Sequence, residues 1–166
     1  GSGTIQVYVR DLATDTTTLA SRSAAGAAAN SQSDLGAISP NGRFVSFRSF
    51  ATNLAGGPFA SRVYVHDRVT LATSSVPLPV LNAVTATGCR ENDVADNGVV
   101  VLTCFFGSGL FDQVYLHIPG AAGTPFLISS DISDAAGNQV SGTRVAIDAS
   151  GLSMIFDSRA SNLVGN

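Results

Sequence analysis

Apolar positions along this chain come in short runs separated by Gly, Ser, Thr, Asn and Asp. Within a run they either alternate with polar residues or continue unbroken, the patterns of half-buried and fully buried strands. The runs also recur. Val7-Tyr8-Val9-Arg10-Asp11 returns as Val63-Tyr64-Val65-His66-Asp67 and, more loosely, as Val114-Tyr115-Leu116-His117. A second motif follows each copy: Ala37-Ile38-Ser39-Pro40-Asn41-Gly42-Arg43-Phe44-Val45 matches Asp93-Val94-Ala95-Asp96-Asn97-Gly98-Val99-Val100-Val101 and Ala146-Ile147-Asp148-Ala149-Ser150-Gly151-Leu152-Ser153-Met154.

Each second motif predicts a hairpin: a strand end, a turn whose Asn-Gly or Ser-Gly takes positive φ, and a returning apolar strand. Each first motif predicts a strand closed by a turn. Asp11 and Asp67 are placed to accept backbone N–H groups and pin that turn, whereas the third copy has Ile118-Pro119-Gly120 there and needs other turn chemistry. The unit is four short antiparallel strands in roughly 50 residues, the size of a propeller blade. The expected boundaries are an outer half-blade over 5–21, blades over 33–76 and 89–130, and an inner half-blade over 144–158. Stretches 24–30 and 134–139 read as connectors between units.

These motifs, with Ala160-Ser161-Asn162-Leu163-Val164, resemble the WD40-like, TolB-type β-propeller repeats of exported bacterial proteins. The resemblance spans essentially the whole chain. It implies an all-β, β-propeller-like fold and a binding or scaffolding role, and it implies that the Ile38-type hairpin forms the inner two strands of a blade.

On that order the chain starts with an outer pair and finishes with an inner pair. The segment 160–166 matches 51–57, and joining Asn166 to Gly1 restores the spacing to Val7 within one residue. Gly1-Ser2-Gly3 then reads either as a native loop in the place of Gly57 to Ala60 or as a cloning remnant. Three blades are too few to close a ring, so the halves are expected to join between copies. The self-association residues are Val7, Tyr8 and Val9 on one side and Ile147, Met154, Ile155 and Phe156 on the other. Two copies would close a six-bladed ring, and a rotation that does not close would make a filament. An excerpt from a longer tandem protein is the alternative.

Composition agrees with strands. Of 166 residues, 13% are charged, all nine basic residues are Arg, and Glu91 is the single Glu, so the Lys and Glu that solvate helix faces are missing. A net charge of -3 and no basic cluster argue against nucleic acid. No apolar run is long enough to span a membrane, and no signal peptide stands at the start.

Cys89 and Cys104 flank the Asn97-Gly98 turn almost symmetrically and are expected to face each other within about one residue of register, as a disulfide in an oxidising, extracellular or periplasmic compartment, or else as buried thiols. Their counterparts by alignment are Ser33 and Arg48, and Gly142 and Asp157. His66 and His117 occupy the position of Arg10, which favours a structural role. No Gly-x-Ser-x-Gly elbow or Ser-His-Asp set stands out, so no enzyme is expected. Asp131, Asp134 and Asn138 could ligate Ca²⁺, but without the spacing of a calcium loop, and no metal or cofactor is expected. Phe105, Phe106, Leu110 and Phe111 surround a Gly-Ser-Gly found only in the middle copy, as a contact surface or as packing.

Overall fold

A computed structural model describes residues 3–55, 61–107, 109–121 and 123–164. Gly1-Ser2 and Gly57 to Ala60, expected to be equivalent loops, lie outside these residues, as do Gly56, Ser108, Ala122 and Gly165-Asn166. The described chain is all-β, built from small antiparallel sheets. Two sheets have four strands and run in chain order. The first contains β3 (Ser33–Ile38), β4 (Phe44–Ser49), β5 (Arg62–Asp67) and β6 (Thr73–Ser75). The second contains β9 (Gly88–Val94), β10 (Val100–Phe105), β11 (Gln113–His117) and β12 (Phe126–Leu127). Two-stranded sheets flank them: β1 (Tyr8–Asp11) with β2 (Thr16–Leu19), and β13 (Ser141–Ile147) with β14 (Met154–Ser158). A small hairpin, β7 (Val80–Leu81) with β8 (Val84–Thr85), joins the two larger sheets.

The turns follow from local chemistry. Gly42, Gly98 and Gly151 adopt φ of 74°, 82° and 76°, and each donates its N–H back three residues, to the carbonyls of Ser39, Ala95 and Asp148. Asn41 and Asn97 accept from the N–H groups of Arg43 and Val99. A side chain at these glycines would have to enter the left-handed region that only Gly visits without strain. Asp11 accepts the N–H groups of Ala13 and Thr14, and Asp67 those of Val69 and Thr70. In the third copy this task falls to Gly120, at φ 78°, with Ala121 N–H bonded to the Ile118 carbonyl.

The sheets stack face to face in chain order, because the inner strands are apolar on both faces. On β10, Val100, Leu102 and Cys104 join Val63, Val65 and Val76 of the preceding sheet. The alternate residue Val101 turns instead toward Ile147, Val145, Met154 and Phe156 of β13–β14. On β4 and β5, Val45, Phe47 and Tyr64 pack against Val9 of β1 and Val7 just before it. This is the two-residue side-chain period of a strand buried on both sides. Burying each such side chain contributes roughly 1.5–3 kcal/mol.

Candidate functional site

The two outer sheets of the stack are halves of the inner ones, register for register. In β13–β14, Ile147 pairs with Met154 and Ser141 with Ser158. The first two strands of the larger sheets pair Ile38 with Val45 and Ser33 with Ser49, and Val94 with Val100 and Cys89 with Cys104. In β1–β2, Tyr8 pairs with Leu19 and Val9 with Thr18, as Tyr64 and Val65 pair with Ser75 and Ser74 in the third and fourth strands of the first large sheet. Within the larger sheets the second strand is joined to the third. In the half-sheets that joining edge is open on both β14 and β1.

Exposure follows the open edges. Tyr8 is 60% exposed, while its counterparts Tyr64 and Tyr115 are 1% and 2% exposed. Ile155 is 74% exposed, while Ser46 and Val101 at its position are 0%. Of the residues expected to join copies, Tyr8 and Ile155 are solvated, whereas Val7, Val9, Met154 and Phe156 lie partly buried against the neighbouring sheets and Ile147 is in the core. Two grooves accompany the edges. One, of about 240 Å³, is lined by Val7 and by Tyr8, Val9 and Arg10 of β1, by Gly36, Ala37 and Ile38 of β3 and by Val45 of β4. The other, of about 440 Å³, lies on β13–β14 and is lined by Arg144, Val145, Ala146, Ile155, Phe156 and Asp157.

Cys89 and Cys104 are directly cross-strand and joined as a disulfide. Their counterparts correct the sequence alignment by one residue. They are Ser33 with Ser49 and Ser141 with Ser158, buried or half-buried hydroxyl pairs bonded at 2.9 and 2.7 Å, rather than Arg48, Gly142 or Asp157. The turn of the middle hairpin is one residue shorter, Val94 pairing with Val100 where Ile38 pairs with Val45 and Ile147 with Met154, which displaces Arg48 and Asp157. The bulge of β13 holds one residue more than those of β3 and β9, which displaces Gly142. One residue more or less in a turn or a bulge moves every residue beyond it by one place.

Two further devices hold successive units together, and among the described residues both occur around the first and last junctions. The Gln6 amide donates to the Ala29 carbonyl while its oxygen accepts from Ser21, and Gln113 does the same with Gly137 and Ser129. Asn30 and Asn53 exchange bonds across the connector with Thr52 and the Ala28 carbonyl. Asn138 and Asn162 repeat this with Ser161 and the Ala136 carbonyl. The paired spacings Gln6-Val7-Tyr8 and Gln113-Val114-Tyr115 were the available signal. At the middle junction Arg62, Pro77 and Ala86 stand in the places of Gln6, Ser21 and Asn30, and the disulfide and the β7–β8 hairpin are found there.

Several titratable residues are occupied in local structure. His66 is buried and its Nδ1 lies 3.0 Å from Thr73 Oγ1, which itself donates to the Arg22 carbonyl. The imidazole therefore donates from Nδ1, and burial, reinforced by the Arg22 charge, depresses its pKa. Burial also lowers that of His117. Asp67 receives the Arg43 guanidinium at both oxygens and is held well below the usual carboxylate range, chiefly by that hydrogen bond. Asp131 accepts from Ser133 and Ala135, and the N–H of Asp134 (φ 62°) donates to the Asp131 carbonyl. Asn138 is taken up by the connector pair already described, so these three residues serve turn and connector. Among the described residues no three His, Cys, Asp or Glu side chains gather to hold a metal ion, and no helix is long and apolar enough to cross a membrane. Comparison of the chain with protein-family models, curated proteins and solved structures finds no match.

Proposed function

We propose that this chain is a non-enzymatic structural subunit, a β-propeller-like module of WD40-like, TolB-type character, that joins further copies of itself head to tail through its two half-sheets. One observation carries the reading: β13–β14 and β1–β2 have the registers of the two halves of the complete sheets, and residues buried in the complete sheets are exposed on their free edges. An open apolar edge is a template for another strand, and a head-to-tail contact builds a ring or a filament according to its rotation. The cross-strand cystine supports an exported, oxidising location. Light scattering coupled to size-exclusion chromatography tests the reading: discrete rings or growing polymers are expected, and a well-folded monomer at high concentration would falsify it.

A second reading, a binding module for a protein, peptide or glycan, is favoured by a cavity of about 380 Å³ beside the middle junction. Leu81 and Asn82 of the β7–β8 hairpin line it with Leu110 and Phe111, from a loop that differs between the units, and with Asp134, which stands where the first connector has Gly26. A ligand screen read by thermal shift tests this, and Phe111→Ser is expected to abolish any shift found.

A further inference from the structure

Resting on the assembly reading, we infer that the joint between copies is a slot rather than a simple edge contact. Strand β14 of one copy enters the groove between the free edge of β1 and the facing strand β3 of the next, in a single register.

The chain contains this slot in its filled form twice. Strand β4 pairs along the edge of β5 and lies beneath β9, and β10 pairs along the edge of β11 and lies beneath β13. In both cases the covering strand is anchored by one bond to the segment leading into the third strand: Cys89 N–H to the Ser61 carbonyl, and Ser141 N–H to the Asp112 carbonyl. The same bond is made a third time, from Ser33 N–H of β3 to the Ile5 carbonyl ahead of β1, at 2.9 Å. So β3 is already held over β1 as a covering strand, with a groove in the place that a second strand fills elsewhere. Gly36 shows how closely the wall is set, since a Cβ there would meet Val7 at 2.9 Å.

The occupant is set by complementarity. Strand β14 has the partners of a second strand on one side and none on the other. Both filled slots share one register, Phe47 to Tyr64 with Ser46 to Val65, and Leu102 to Tyr115 with Val101 to Leu116. Carried to the free edges, it places Phe156 opposite Tyr8, Ile155 opposite Val9 and Met154 opposite Arg10 of the next copy. Phe156 then meets Tyr8 as Phe47 meets Tyr64, whose rings stack with centroids 5.7 Å apart. A one-residue slip would turn every β14 side chain to the wrong face.

Mixing chains that carry Ile155→Cys with chains that carry Val9→Cys, under mild oxidation, tests the register. The native cysteines are already bonded to each other. An interchain crosslink mapped by mass spectrometry is expected in this mixture and in a second in-register mixture, Asp157→Cys with Val7→Cys. Little is expected from Ile155→Cys with Arg10→Cys, one residue out of register. Light scattering on the same samples separates the two claims. Oligomers that lack both in-register crosslinks, or that crosslink 155 to 10 as readily, overturn the slot and leave assembly standing, whereas monomers overturn both.

Discussion

At position 66 a strand carries an imidazole inward, where neighbouring copies of the motif have Arg10 and His117. Its Nδ1 hydrogen bond to Thr73, and the onward bond to Arg22, tie the first large sheet to the connector before it. Because burial lowers the folded-state pKa from 6.5, the unfolded chain takes up a proton first as the pH falls. Stability is full above about pH 6.5 and is lost as the pH drops toward the lower folded value. Asn places an amide where Nδ1 stands. Denaturant midpoints measured across this range are therefore expected to fall less steeply for His66→Asn than for the native chain. The second residue-scale expectation concerns the cystine. Cys89→Ser with Cys104→Ser recreates the hydroxyl pair seen at Ser33–Ser49 and Ser141–Ser158, so the doubly substituted chain should fold. It should lose about 3 kcal/mol of unfolding free energy, the value for closing a loop of this size, as read from chemical denaturation.

Among the elements, the hairpins β3–β4, β9–β10 and β13–β14 were legible in advance because their turn chemistry is local: Asn41-Gly42, Asn97-Gly98 and Gly151 announce themselves within a few residues. The bulges and the shorter turn of the middle hairpin were not, since one residue more or less leaves no compositional mark, and the cysteine counterparts were misplaced by one in consequence. Hairpin β7–β8 escaped notice because its turn puts Asn82 and Ala83 at φ of 48° and 62°, where an Asn-Gly pair would have been the signal. The Gln and Asn clasps join groups far apart in sequence, and single-residue patterns do not reveal which polar atoms meet. At the bulge of β13, Gly142 combines φ of 77° with close approach of Thr103 Oγ1 and of Val114 Cγ2 at 2.6 Å from any added Cβ. Overpacking of this kind costs about 1–3 kcal/mol before the backbone strain is added. Gly142→Ala is expected to lower the thermal midpoint sharply, whereas Gly109→Ala, with open space around it, should pay only the backbone strain of its φ of 80°.

For the molecule as a whole, the all-β class and the order of the units could be read from recurring motifs. The stacking of the sheets could not, because it depends on which of two alternating faces each strand turns to its neighbour. The difference between a complete sheet and a half could be read from the order of the motifs, whereas its consequence, the exposure of Tyr8 and Ile155, depends on the stacking. Ile155→Lys puts a charge on the free edge of β14, a device by which edge strands resist pairing. The variant is expected to run as a monomer at concentrations where the native chain assembles, with an unchanged circular dichroism spectrum and melting midpoint of the isolated fold. A variant that assembles as well as the native chain would move the joint elsewhere.

The Cys89–Cys104 bridge has a mechanical consequence. It closes the β9–β10 hairpin into a covalent loop with a sequence separation of 15, so tension applied through the chain passes across the sulfurs and leaves the enclosed residues slack. At about 3.4 Å per residue, roughly 50 Å of contour is withheld from any extension. Stretching this protein between two handles should reveal that hidden length only after a reductant is added.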